Sequence, residues 1–295
     1  MILKKGSKGD KVRQLQLALG ITADGIFGSA TESAVKKFQK EHGLFADGIV
    51  GPKTMDMLSE HKLDSDVSDK LIITPSIQIE NYYLPKGQYL EGHYNNDYII
   101  LHHTAGWDNP KGVVDCWAHD SIGRVATEFV VGGQRTTDGR KTYDGQIIRT
   151  YPEGCQGYYI GKCGSSYMTT HSVGIEICNM GQIKNGKTYV NTPCIESQMV
   201  TLKEPFRGYK TYHKYSDASL KATHDLLLYI ANRDNIDLHK GLYQWIKKDG
   251  AKAFDFQSDA YYGKVKGGMM THANIRKDKN DLFPQDEVMD MILSL

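Results

Sequence analysis

The chain has 295 residues, 40% of them apolar and 24% charged, which is comfortable for two domains with buried cores and excludes disorder by composition. Thirty-six Lys and Arg against 35 Asp and Glu leave a formal charge of +1. That balance argues against a nucleic-acid partner held by a strong overall positive field. No apolar run approaches the roughly 20 residues of a membrane helix, so no membrane insertion is expected.

The opening stretch MILKKGSKGDKVRQ lacks the apolar core of a secretory leader. Synthesis in the cytoplasm is expected, with the chain staying there unless another agent releases it. Val12, Leu15 and Leu19 then mark a first helix that Gly20 ends. Asp24-Gly25-Ile26-Phe27-Gly28-Ser29-Ala30-Thr31 returns as Asp47-Gly48-Ile49-Val50-Gly51-Pro52-Lys53-Thr54, a period of 23 residues. Each copy reads as an Asp-Gly turn, an apolar plug, a Gly and a helix start. Ser29 is expected to cap one helix and Pro52 to open the next. Between them Ala34, Val35 and Phe38 have helical spacing, with Gly43 as C-cap. Residues 1–62 thus read as a three-helix module and 63–85, opening KLDSDVSDK, as a linker.

Residues 86–295 alternate element types. Strands are expected at Tyr98–Leu101, Ala126–Val131, Gln146–Thr150 and Ser172–Cys178. Helices are expected at Pro110–Ser121, at Ser216–Arg233 with Ser216 as cap, and at Gln285–Leu295. The fold class expected is α/β, a mixed central sheet flanked by helices, preceded by the helical module. The stretch 181–215 has no strong pattern and reads as a surface insertion. Five cysteines form no CxxC, which fits a reducing compartment and excludes a cysteine zinc knuckle.

Three segments concentrate metal-ligand types: LHHTAG from Leu101, SVGIEI from Ser172, and THANIRKDKND from Thr271. Adjacent histidines on a strand point to opposite faces, so only one of His102 and His103 can serve a given site. A catalytic zinc takes about three protein ligands and keeps one position open. One of those two histidines, with His272 and Asp281, would supply an N2O set. No HExxH is present, so the helix-borne protease arrangement is excluded.

LKKGSKGDKVRQLQLALG, ADGIFGSATESAVKKFQKEHGL and ADGIVGPKTMDML together resemble the peptidoglycan-binding module of cell-wall enzymes. YIILHHTAG, TEFVVGG, SVGIEIC and THANIRKDKNDLFP, in that order, resemble the zinc domain of N-acetylmuramoyl-L-alanine amidases. That fold is shared with peptidoglycan recognition proteins and many phage endolysins. The resemblance covers roughly 90–295, with 181–215 and 235–265 poorly matched. It implies Zn2+ held by His102, His272 and Asp281, with Glu176 as catalytic acid/base and Lys279 facing the oxyanion. His103 would then be structural. Thr271 and Leu282 depart from the usual neighbours of the second and third ligands, which leaves Asp278 a rival to Asp281. Glu128 could share the acid/base role, and Tyr159 and His171 would line the substrate groove.

The activity implied is cleavage of the amide between N-acetylmuramic acid and L-alanine in bacterial peptidoglycan, by a monomer acting as a phage endolysin. Three alternatives compete: a non-catalytic recognition protein on the same fold, a cytoplasmic muropeptide-recycling amidase, and a peptidase on the same binding module. The intact ligand set argues against the first and the wall-binding module against the second. Product analysis separates the last.

Overall fold

The computed structural model describes residues 2–19, 21, 24–61, 77–92, 94–120 and 123–295. The chain divides into two compact units, Met1–Ile73 and Thr74–Leu295.

The first unit holds helices α1 (Asp10–Ala18), α2 (Ser29–Glu41) and α3 (Pro52–His61). Leu3, Val12, Leu15, Phe27, Val35, Phe38, Val50 and Leu58 form its core. In each repeat the second apolar residue is the plug: Phe27 and Val50 are buried, whereas Ile26 and Ile49 are exposed. The repeats are built on glutamines that the sequence reading passed over. Gln16 Nε2 donates to Asp24 Oδ1 (2.7 Å), the Ile26 carbonyl (3.0 Å) and Thr31 Oγ1 (2.9 Å), while its Oε1 accepts from Gly25 N (2.9 Å). Gln39 repeats this with Asp47 (2.8 Å), Ile49 (2.9 Å), Thr54 (3.2 Å) and Gly48 N (2.9 Å). Pro52 opens α3 as expected, but Gly28 occupies the cap of α2 and no side chain caps it. Gly20, expected to end α1, lies outside the described residues.

The second unit is a six-stranded mixed sheet in the order β1-β4-β3-β5-β2-β8. Its strands are β1 (Ile79–Asn81), β2 (Tyr98–His103), β3 (Phe129–Val131), β4 (Ile147–Arg149), β5 (Ser172–Ile177) and β8 (Gly268–Thr271). All pairs are parallel except β3 with β4. Between β5 and β8 the chain forms a separate hairpin, β6 (Met199–Phe206) with β7 (Tyr209–His213). The helices are α4 (Pro110–Ala118), α5 (Ser166–Thr170), α6 (Asp217–Asp234), α7 (Leu242–Asp249), α8 (Ser258–Tyr261), α9 (His272–Ile275) and α10 (Asp286–Leu293).

Strand alternation divides the sheet into two faces. Ile99, Leu101, Phe129, Val131, Val173, Ile175 and Ile177 pack on α6, α7 and α10 in the largest core. The opposite residues pack in two smaller clusters, Val130 and Ile148 with α4, and Tyr98, Ile100 and Met270 with Met168 of α5. Asn109 and Ser216 cap α4 and α6, each by a side-chain bond to the backbone.

Two expectations need correction. The stretch 181–215 is not merely a surface insertion: Leu202, Phe206, Tyr212 and Tyr215 are buried in the main core. Within 63–85, residues 63–76 are not described, but Ile79–Asn81 is a sheet strand paired with Ile147–Arg149.

Candidate metal centre

The sheet register brings the candidate residues together. Leu101 pairs with Thr271 across β2 and β8, so the next residues, His102 and His272, leave the two strands side by side. Thr271 closes β8 and opens α9 through a capping box: its Oγ1 accepts from Asn274 N (3.2 Å), and Asn274 Oδ1 accepts from Thr271 N (2.9 Å). Asn274 Nδ2 is anchored to the carbonyls of Ala253 and Asp255, both at 2.8 Å. On the other side of β2, His102 pairs with Glu176 of β5, and in-register residues of parallel strands share a face. Gly174 permits the packing behind them. A Cβ there would lie 2.6 Å from Thr127 and 3.0 Å from the Tyr159 ring.

His102 Nδ1 and His272 Nδ1 are 3.0 Å apart, and each is 3.2 Å from Asp281 Oδ2. All three residues are buried. His272 Nε2 faces the Ile160 carbonyl at 3.1 Å, so it carries the proton and, in the neutral ring, leaves the Nδ1 lone pair aimed at its partners. Two imidazole nitrogens and a carboxylate oxygen converge on one point, an arrangement that either a shared proton or a cation satisfies. In a tetrahedral site with bonds of about 2.0–2.1 Å, ligand atoms sit about 3.3 Å from one another. The observed triangle fits that donor set.

The electrostatics follow from burial. His102 is held down to about 4, by desolvation first and then by the His272 charge. Burial pushes Asp281 up, but the contacts with the His102 and His272 rings outweigh it and hold the carboxyl well below its usual range. Glu176 is pushed well above the usual carboxylate range by burial, then by the Asp281 charge, with Lys279 opposing. Its Oε2 is buried without a hydrogen-bond partner, as is His102 Nε2. Lys279 is half-buried on the loop that leads to Asp281.

The remaining sequence candidates fall elsewhere. His103 points to the far face, where Nδ1 meets the Tyr215 hydroxyl at 2.9 Å. Asp278 is exposed and bonded to Arg276 (2.9 Å), so it does not join the two histidines. Glu128 is buried against Arg233, whose Nη2 donates to Oε2 at 3.0 Å while Nη1 donates to Oε1. It is an ion-pair partner and is not part of the cluster. Tyr159 sets its ring edge-on to His102 at 5.4 Å, and its hydroxyl is bonded to Ser172. It therefore packs against the His102 ring instead of lining an open groove. His171 stacks on Tyr167 at 3.7 Å and precedes β5, five residues from Glu176, or about 16 Å along a strand. Sequence reasoning missed Thr271, Asn274 and the Ile160 carbonyl. For the first two, the T-x-x-N spacing of a capping box was the available signal.

Residues 93–281 match the N-acetylmuramoyl-L-alanine amidase family, and residues 8–58 match a peptidoglycan binding domain. The chain belongs to the N-acetylmuramoyl-L-alanine amidase family. It is a peptidoglycan amidase that carries a peptidoglycan-binding domain. Among solved structures, it is similar to the N-terminal domain of SleB at 34% identity, over 21% of this chain and 92% of that one (TM-score 0.20). It is similar to PlyL at 12% identity over 70% and 86% (TM-score 0.40). It is also similar to the endolysin amidase LysCS from Clostridium intestinale at 14% identity over 74% and 96% (TM-score 0.38). No curated protein matches.

Proposed function

We propose that the amidase is zinc-dependent, with His102 Nδ1, His272 Nδ1 and Asp281 Oδ2 as protein ligands, and that it cleaves the bond between N-acetylmuramic acid and L-alanine. The observation that carries this reading is the triangle of 3.0, 3.2 and 3.2 Å among those three atoms, beside the unpaired carboxyl of Glu176. When bound, zinc supplies Lewis acidity, which polarises a carbonyl and acidifies water.

The chain's own groups do the rest. Glu176 takes a proton from the attacking water and delivers it to the departing alanine nitrogen. Its burial suits that shuttle, because a carboxyl whose proton affinity is raised can hold the proton between the two transfers. Lys279 sets positive charge beside the developing oxyanion. Asp281 keeps its charge among the imidazoles and fixes the pair's lone pairs on one point. The first unit would keep the enzyme on its insoluble substrate.

We further propose that the protein serves as a phage endolysin in host lysis. An amidase with a wall-binding domain fits this role, and no described helix is long and apolar enough to cross a membrane.

The test is digestion of purified peptidoglycan with and without a chelator. New alanine amino termini should appear, stop with chelation and return with zinc. New reducing sugar ends, or chelator-resistant activity, would overturn the reading.

A further inference from the structure

We propose that the β6–β7 hairpin is a strap that holds the Asp281 loop in place, with Arg207 as its positioning residue. The inference rests on the ligand assignment above and identifies what fixes the third ligand.

Between His272 and Asp281 the chain makes a short excursion and closes on itself, with Ala273 N donating to the Asp281 carbonyl at 3.0 Å. The Arg207 guanidinium spans that excursion. Nη2 donates to the Ala273 carbonyl at 3.1 Å and Nη1 to the Lys277 carbonyl at 3.3 Å. One carbonyl adjoins His272, and the other lies four residues before Asp281. A planar fork with fixed donors suits such a bridge, because neither carbonyl can drift without losing its bond.

The backbone of Arg207 points the same way. It is the first residue of the two-residue turn joining β6 to β7, at φ +51, followed by Gly208 at φ +84. Turns with both central φ values positive favour Asn, Asp or Gly at the first position. Arginine carries strain there, which persists only where the surroundings over-determine it. Its two bonds to the ligand loop supply that constraint.

The same inserted stretch grips the loop at further points. Asn280, one residue before Asp281, donates to Gln182 Oε1 at 2.9 Å. Beyond Asp281, Phe283 lies stacked on Tyr212 (4.2 Å) and Tyr215 (4.6 Å). Gln285 exchanges two hydrogen bonds with the Tyr215 backbone, at 2.8 and 3.1 Å. The ligand is therefore clasped on both sides by a segment that contributes no ligand of its own.

The test measures zinc affinity by chelator competition, together with thermal unfolding and amide exchange of the metal-free protein. Arg207→Ala should weaken zinc binding by about 10–100-fold, the usual range for groups that orient ligands. Exchange across 277–282 should quicken in the metal-free chain. Arg207→Lys should recover part of the affinity, since an ammonium can hold one of the two carbonyls. Affinity within twofold of the parent would overturn the proposal. So would a loss that Arg207→Lys does not relieve and that tracks a lowered thermal midpoint. If Arg207→Ala does not fold, Gln182→Ala is read in its place, with a several-fold loss expected and no loss overturning. A parent protein that binds no zinc would overturn the ligand assignment itself, which is a separate outcome.

Discussion

In the first unit, Gln16 and Gln39 each gather an aspartate, a threonine and a turn from within 15 residues of themselves. In the second unit, His102 meets His272 across 170 residues, and Glu128 meets Arg233 across 105. The local clusters bind only their own turns, and every partner is satisfied. The distant cluster leaves Glu176 Oε2 and His102 Nε2 buried and unpaired. Buried polar groups without partners are costly and uncommon, and here two of them lie beside the proposed centre, although Arg207 Nε and His213 Nε2 are unpaired as well.

The sharpest way to break that contrast is Glu176→Gln, which keeps the shape and removes the proton carrier. Amidase turnover should fall by about 10²–10⁴-fold with zinc content unchanged. A variant that still digests peptidoglycan at the parent rate would reassign the open carboxyl to structure. Next comes Arg233→Met, which strips Glu128 of its two-pronged partner and leaves only Arg149, at 3.5 Å, as counter-charge. Denaturant unfolding should report a loss of at most about 3 kcal/mol, the lower end for breaking a buried pair.

Acid should then find the second unit before the first. His213 is buried, its Nδ1 accepts from Met180 N at 3.2 Å, and burial first, then His103, hold it down to about 4. Unfolding returns it to its ordinary value of 6.5. The unfolded chain then binds the extra proton between pH 6.5 and 4, so the share of stability due to His213 falls through that window as the pH is lowered, by about 3 kcal/mol. Calorimetry of metal-free protein from pH 7 to 4 checks this, and His213→Gln should flatten the slope.

The smallest effects are expected in the repeats. Gln16→Ala and Gln39→Ala should each cost about 1–3 kcal/mol, and nearly the same amount, because the two clusters are alike bond for bond. Amide exchange of Gly25 and Gly48 in the full chain reads the two losses separately.

The same contrast explains how much was legible. The repeat of 23 residues announced the first unit because each turn and the helix start after it recur within one short stretch of chain. Alternation along YIILHH separated His102 from His103, since a strand's period holds whatever the partner strand is. The hairpin escaped notice because β6 buries only Leu202 and Phe206, four residues apart, and its register shifts between Thr201 and Phe206. A bulged strand loses the period of two. Glu128 looked like a second catalytic carboxylate because nothing near it in sequence reveals Arg233 as its partner. His171 was misplaced for a simpler reason: it adjoins the site strand, but at the wrong end. The choice between Asp278 and Asp281 needed Arg276, which occupies the first and leaves the second free to turn inward.

The pairing of β2 directly with β8 has a consequence for how the chain could be rebuilt. The spacing of His102 and His272 is set by a backbone ladder between neighbouring strands, so it is indifferent to how much polypeptide runs from one to the other. Lengthening a surface turn such as 189–192 adds only a slowly growing closure cost. A foreign module grafted there would leave the two imidazoles at the same separation, and the second unit could host new cargo without retuning its centre.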